Sequence, residues 1–331
     1  MAQWGVRIAV AAAAIVAALM SVAMAQTPKP WRHGIIEPKS DAGFVLMVTQ
    51  RDFAEKFGLK VEAVKLKSAG LAVKALLSGE LDSIEAGAAE SITAAAQGAD
   101  LKIVGCPWPG VPHALLARPG IANIADLKGK TIAAAAPGAL PELFARALLD
   151  KYGFAASEVK IASFGSDPDR YKALLAGAVD AAVVATEYLP IAPKDVRVLA
   201  TARDVIPNAM RHCIAMTGKT LQERRGQAAR FLAAEIAAMR YAVANKDETV
   251  RLTRETTGGK PEDPRPEVVF DESVRYRDCD PELPIPMDKL AWMQEQLVKS
   301  GVIKQPVDLA RMVDPDVRAK ALEIAGKPGG H

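Results

Sequence analysis

Several things are scarce in this chain. Three cysteines in 331 residues, Cys106, Cys213 and Cys279, are too few and too scattered for a disulfide scaffold or a thiolate zinc site. Four histidines, His33, His113, His212 and His331, show no metal-ligand spacing, so no metal is expected; His33 and His113 read as strand residues. The net charge is only +3, from 42 basic and 39 acidic residues. No lysine or arginine cluster is interleaved with aromatics, which excludes a strongly basic nucleic-acid binder. No GxSxG, HExxH, P-loop or GxGxxG stands in usable context. Catalysis has no motif to rest on, and no cofactor is expected. Beyond the N-terminal 25 residues no apolar run is long enough to cross a bilayer.

What is present fits a globular protein of about two domains: half of the residues are hydrophobic and 24% are charged. Residues 1–7 carry one charge, Arg7, and residues 8–20 are uncharged and apolar. Ala23-Met24-Ala25 then supplies small residues at both positions that a signal peptidase reads. The pattern predicts a secretory leader, 1–25, cleaved before Gln26, and a periplasmic mature protein. A membrane anchor or a buried N-terminal helix is the alternative, but the 18-residue run Ile8–Ala25 is short and Ala-rich for a span. No cysteine at the cleavage site offers a lipid anchor. Export would allow thiols to pair. An odd count permits at most one bridge, and buried unpaired thiols are the alternative.

The most informative feature is an internal echo. Lys74-Ala75-Leu76-Leu77-Ser78-Gly79-Glu80-Leu81-Asp82 returns as Lys172-Ala173-Leu174-Leu175-Ala176-Gly177-Ala178-Val179-Asp180, at an offset of 98 with six of nine positions identical. Each copy follows an apolar strand and a turn containing Ser68 or Ser166, and each ends in a glycine suited to the left-handed residue after a helix. Strand, helix and strand with short connections make a right-handed crossover in a parallel sheet. The echo predicts two similar α/β lobes, each a mostly parallel sheet flanked by helices. Ligands in such sheets sit beyond the carboxyl ends of the strands. Two lobes facing each other there would enclose one cleft.

Elsewhere, Arg32–Glu37 reads as a first strand, followed by a helix capped by Ser40 or Asp41 that runs to about Phe57 and stops at Gly58. Asn123, Asp126 and Gly129 outline a single capped turn, and Pro141–Tyr152 is a helix stopped by Gly153. Thr256–Pro266 and Asp278–Pro286 read as connectors. The chain is expected to leave lobe 1 near residues 110–118, build lobe 2, and return near 202–212. That gives a two-strand hinge and the division 26–112 and 205–331 for lobe 1, with 113–204 for lobe 2. Two such crossings place Cys106 and Cys213 in one lobe near the hinge, which makes them the pair to test for a bridge.

The export signal, Gly58-Leu59, the doubled Lys74–Asp82 and Lys172–Asp180, and Ile121-Ala122-Asn123-Ile124-Ala125-Asp126-Leu127-Lys128-Gly129-Lys130 together resemble the periplasmic binding proteins of ABC importers for nitrate, sulfonates, taurine and thiamine-precursor pyrimidines. The resemblance spans about residues 30–325. It implies a two-lobed, type II-like periplasmic binding fold that acts as a monomer, closes on a small-molecule ligand and docks on an ABC permease. Two enzymatic branches share that fold. One carries a cysteine-rich cluster, and the other, a sulfinate hydrolase, an early-loop cysteine with an Arg-x-Gly-Gly motif. Neither pattern occurs here, which leaves Cys106 as the sole nucleophile to weigh for a sulfinate-hydrolase-like enzyme. A periplasmic sensor domain is the other alternative.

Candidate ligand contacts follow the strands. Lys39, Ser40 and Asp41 stand after the first, where a helix N-terminus and a lysine would favour an anion; a plain cap with a solvated lysine is the alternative. Ser68 and Ala69, with Ser166, occupy equivalent places in the two repeats and can cap a helix or touch ligand. Gly87 and Ala88 would let a ligand approach the backbone, while Glu187 and Tyr188 supply an acceptor and a stacking face. Trp108, between two prolines, either stacks on ligand or plugs the hinge. Gly138 and Ala139 precede the Pro141 helix. Arg211, at the return crossing, can bind a carboxylate or sulfonate in two-pronged fashion or form a structural ion pair. Lys39 and Arg211 point to an anion, whereas Glu85, Glu187 and Trp108 leave room for an aminated or aromatic compound.

Overall fold

The computed structural model describes residues 29–326; the expected leader and its cleavage site lie outside them. The chain begins with β1 (Trp31–Ile36), a four-residue α1 (Ala42–Val45), β2 (Val61–Leu66), α2 (Ala69–Leu77), β3 (Ser83–Gly87), α3 (Ala88–Ala96) and β4 (Leu101–Trp108). It continues with β5 (His113–Ala117), β6 (Thr131–Ala134), α4 (Leu140–Lys151), β7 (Lys160–Ser163), α5 (Asp167–Leu175), β8 (Ala181–Ala185), β9 (Arg197–Thr201), α6 (Ala202–Val205) and β10 (His212–Thr217). Five helices complete it: α7 (Gly218–Ala244), α8 (Lys246–Thr257), α9 (Arg265–Arg275), α10 (Met287–Lys299) and α11 (Pro315–Ala325).

The strands form two five-stranded sheets, ordered β2-β1-β3-β10-β4 and β7-β6-β8-β5-β9. β1 runs parallel to β2 and β3, and β6 parallel to β7 and β8. The fourth member of each sheet, β10 or β5, is antiparallel to both of its neighbours. Each antiparallel strand is the one the chain enters just after passing from one sheet to the other. The two lobes are therefore the same topology with one strand exchanged in sequence order, as the internal echo implies. Both copies of the echo form strand, capped helix, left-handed glycine (Gly79 and Gly177, φ +80° and +70°) and strand.

Each sheet is covered on both faces. Trp31, Ile214 and Met216 pack on Phe231, Leu232 and Ile236 of α7, and Ile84 and Ala215 on Ala72 and Leu76 of α2. In the second sheet Leu116, Ala182 and Val184 meet Tyr171 and Leu174 of α5. Its other face, through Leu115, Ile132 and Val183, meets Phe144 and Leu148 of α4 in an apolar cluster that also takes in Leu290, Met293 and Leu297 of α10. That helix, in the stretch assigned from sequence to lobe 1, packs on α3. The same apolar cluster reaches Ile92, Ile103 and Cys106 beside the first sheet.

One helix expected from sequence is absent. Residues 42–57 form α1 and two short 3-10 turns, Met47–Thr49 and Glu55–Phe57, interrupted by Arg51 and Asp52 at positive φ. Tertiary packing overrides the helical pattern. Gly43 lies against the backbone of Thr249 on α8, where a Cβ would overlap the Thr249 carbonyl, and Gly43 N donates to Thr253 Oγ1 at 2.9 Å. The Asn123–Asp126 capping box and the left-handed Gly129 form as expected.

The two crossings run side by side, with Arg211 N donating to Trp108 O at 3.0 Å. Cys106 and Cys213, both fully buried, form a disulfide between β4 and β10. The segment 278–284 braces them: Cys106 N donates to Pro284 O, Asp280 N to Pro107 O and Gly110 N to Asp278 O. The bridge closes a loop across 107 residues, for which chain entropy alone gives about 4–5 kcal/mol. The Cys106→Ser/Cys213→Ser double variant should unfold at markedly lower urea concentration than the oxidised protein. An unchanged midpoint would show that the bridge does not hold the crossings.

Candidate functional site

The carboxyl ends of β1, β2, β3 and of β6, β7, β8 face each other across a cleft of about 1080 Å³ whose lining comes from both sheets, both crossings and the segment 256–273. Of the residues singled out from sequence, the cleft gathers Lys39, Ser40, Asp41, Ala69, Gly87, Ala88, Trp108, Ala139, Ser166, Glu187, Tyr188 and Arg211. Two fall outside its lining. Ser68 is exposed and accepts from Leu71 N as the cap of α2. Gly138, at φ +81°, backs onto Val302 and Leu297, where a Cβ would crowd both. Each has a local structural duty that explains the residue type.

The electrostatics differ from the expectation of open anion sites. After β1, the helix whose N-terminus was to receive an anion is one turn long. The Asp41 carboxylate sits there, accepting from Lys39 N at 3.0 Å and from Arg211 Nη2 at 2.6 Å. Burial works to raise the Asp41 pKa, but the Arg211 charge and the hydrogen bonds prevail and hold it low. Arg211 also lies over the Trp108 ring, 5.1 Å from its centroid. At the start of α4 the Glu142 carboxylate accepts from Gly138 N at 3.1 Å. At α5, Asp169 accepts from Ser166 N and Oγ, and Asp167 accepts from Ala185 N. The protein's own carboxylates occupy all of these positions.

Lys39 reaches across the cleft. Its Nζ is 2.5 Å from Asp167 Oδ2, so the turn after β1 is tied to the first residue of α5 in the other lobe. Asp167 also pairs with Arg170, whose guanidinium is consumed by Asp167, Val183 O and Gly165 O. Burial would raise the Asp167 pKa, yet Lys39 and Arg170 outweigh it and hold it well below the usual range. Asp167 therefore stays charged throughout the neutral and mildly acidic range.

Sequence reasoning missed several lining groups: Glu90, His113, Asp167, Arg170, Thr186, His212, Arg265 and Glu272. His113 lies on β5 as expected of a strand residue but faces the cleft, and burial drops its pKa to about 3, so it is neutral. His212 is likewise lowered, by burial and then by Arg211. Arg265 comes from the stretch that reads as a connector, and Glu272 from the helix that follows it; nothing local in the sequence marks them. Asp167 carried a signal, since it follows Ser166, and His113 opens the strand at the first crossing.

Behind the cleft floor runs a buried polar chain. His212 Nδ1 lies 3.5 Å from Glu85 Oε1. His33 on β1 bonds Ser83 Oγ through Nδ1 at 2.8 Å and approaches Glu235 of α7 at 3.9 Å. Glu235 is 6% exposed and its Oε1 has no partner. Burial, with Glu85 adding to it, raises the Glu235 pKa well above the usual range. A carboxyl held protonated in the folded state contributes most at low pH and loses that contribution as pH rises above the unfolded value of about 4.5. Glu235→Gln should therefore raise the melting temperature more at pH 8 than at pH 5. Equal shifts at both pH values would contradict a protonated Glu235.

Comparisons with known proteins bear on this geometry. The sequence profile of the NMT1/THI5-like family matches residues 40–249. No curated protein sequence matches the chain. Among solved structures, the periplasmic aliphatic sulphonate binding protein SsuA from Escherichia coli superposes with a TM-score of 0.73 at 20% identity, over 87% of this chain and 93% of that one. The zinc-bound ligand binding component of an ABC-type import system from Staphylococcus aureus gives 0.72 at 14% identity, over 89% and 99%. The desulfurization enzyme DSZB gives 0.66 at 15% identity, over 88% and 99%. The fold is that of the periplasmic binding proteins, and it is shared with an enzyme.

Proposed function

The chain belongs to the NMT1/THI5-like family, and from that premise we propose that it is an extracytoplasmic solute-binding protein. It captures a small organic compound between its lobes and delivers it to an ABC-type permease. The observation that carries this reading is a single cleft of about 1080 Å³ lined from both lobes and joined across its mouth by the Lys39–Asp167 pair. A ligand touching both walls favours the shut arrangement by its differential affinity for that state. Micromolar binding requires about 8 kcal/mol net, within reach of several hydrogen bonds and apolar burial in such a space. The names of the E. coli and S. aureus relatives support transport, and the N-terminal sequence supports export, cleavage after Ala25 and periplasmic residence. The protein acts as a monomer in this reading.

The similarity to DSZB favours a second reading, an enzyme on the same fold. The state of the thiols argues against it. Cys106, the nucleophile to weigh, is bonded to Cys213 and fully buried. Cys279 is buried, its thiol pushed up to about 12 by burial and then by Asp278 and Asp280. Neither offers a thiolate to the cleft.

A thermal-shift screen of sulfonates, nitrate, aromatic carboxylates and aminopyrimidines tests the proposal. At least one class should raise the melting temperature by several degrees, and Lys39→Met should weaken that hit about ten-fold or more by untying the lobes. A protein that binds nothing in the panel, or a hit turned over into product, would contradict it.

A further inference from the structure

The charges of the cleft are unevenly used. Its buried or half-buried cations Lys39 and Arg170 pair with Asp167, and Arg211 with Asp41, while Lys65, Lys67 and Lys260 of the lining are exposed. Among the lining carboxylates Glu85, Glu90 and Glu187, with Glu37 and Glu262, form no ion pair with a lysine or arginine among the described residues. Glu85 lies beside the neutral His212 and within the field of Arg211, and Glu187 has the Ser40 hydroxyl. Glu90 folds back over Gly87, where a Cβ would overlap its carboxylate.

Glu90 and Glu187 come from neighbouring places in the two lobes. Glu90 is the third residue after β3, in the first turn of α3, and Glu187 the second after β8, in a 3-10 turn. β3 and β8 each pair in parallel with the central strand of their sheet, β1 or β6. Each wall of the cleft thus presents one carboxylate from the turn that follows such a strand. Burial raises the pKa of both, at Glu187 against the opposing pull of the Ser40 hydroxyl and the Lys39 charge.

A second observation points to an occupant. Trp108 and His113 line the cleft at the first crossing, are 1% and 7% exposed, and have Nε1 and Nδ1, respectively, without any hydrogen-bond partner. Buried polar atoms are rarely left unpaired. The Trp108 N–H requires an acceptor.

We propose that the ligand presents a protonated nitrogen group to Glu90 and Glu187, one from each lobe, and an acceptor atom to the Trp108 N–H. This rests on the reading of the cleft as a solute site and specifies the class of solute: a small nitrogenous cation or zwitterion. A purely anionic compound finds the starts of α1, α4 and α5 already held by Asp41, Glu142 and Asp169, and the lysines of the lining without an ion pair among the described residues, Lys65, Lys67 and Lys260, are solvent-exposed. Neutralising two opposed carboxylates with one cation also gives a direct reason for the lobes to shut.

The test is titration calorimetry of the purified protein with probes matched in shape and differing in charge: benzamidine, benzamide, benzoate and benzenesulfonate, with taurine against ethanesulfonate. The nitrogen-bearing cation or zwitterion of at least one set should bind ten-fold or more tightly than its neutral or acidic counterparts. Glu90→Gln and Glu187→Gln should each abolish most of that preference, and Glu187→Asp, which keeps the charge, should retain part of it. The melting temperature of each variant establishes that it folds. Tighter binding of benzoate, benzenesulfonate or ethanesulfonate, or glutamine variants that keep the cation preference, overturns the proposal while leaving a solute-binding protein. Failure of every probe, with no hit in the broader screen, removes the solute-binding reading and this inference together.

Discussion

The chain passes between its two sheets along adjacent strands, and most of the architecture follows from that constraint. Because β5 and β10 are entered directly from a crossing, each must run antiparallel in a sheet that is otherwise built by parallel crossovers. The parallel strands of both sheets then end facing the crossings, so the turns after β1, β3, β6, β7 and β8 converge on one space. The disulfide, the Arg211–Trp108 hydrogen bond and the 278–284 brace hold the two straps as a unit. A unit of that kind permits rotation of one lobe against the other while preventing their separation, the geometry of hinge closure. Helix α10 adds a constraint of its own, since it packs on α3 within an apolar cluster that contains residues of both sheets. Closure about these straps must slide or carry this helix.

The electrostatic design of the cleft is the second theme. Helix starts near a cleft ordinarily invite anions, and here they are supplied with carboxylates from the chain itself. The arrangement consumes the inner cations and leaves acid groups over. Lys39–Asp167 ties the turn after β1 to the start of α5, and Arg203–Asp278, Arg203–Glu272 and Lys299–Asp150 tie residues 113–204 to the C-terminal third. An ion pair partly open to solvent contributes modestly, so it biases the lobes toward closure without locking them. A ligand that adds contacts on both walls can then decide the equilibrium.

Much of the fold was legible in the sequence because it rests on short-range rules. The echo at an offset of 98, with its caps and left-handed glycines, indicated two similar α/β lobes, and the two crossings brought Cys106 and Cys213 together. The site was legible to the extent that it follows strand ends: twelve singled-out residues line the cleft, among them Trp108, Glu187 and Arg211. What failed was decided by long-range contacts. The helix expected over 42–57 is broken at Arg51 and Asp52, both at positive φ, and its first turn is held through Gly43 by Thr249 and Thr253, some 200 residues away. Gly138 serves Val302, and Ser68 serves its own helix. Arg265 and Glu272 reach the cleft only because the C-terminal third folds back over it. Lys39 was read as an anion contact or a solvated lysine, and Arg211 as an anion contact or a structural ion pair, since sequence does not show which carboxylate a cation will meet.

The most direct measurement of the central claim is the distance between spin labels on Lys65 and Lys172, exposed residues of opposite lobes, recorded with and without a verified tight ligand. The account predicts one distance distribution that shortens and narrows on saturation, and a longer, broader one when Lys39 is replaced by methionine. Distributions that coincide in all three samples would show that the lobes do not move about the crossings, and the account of capture by closure would be wrong.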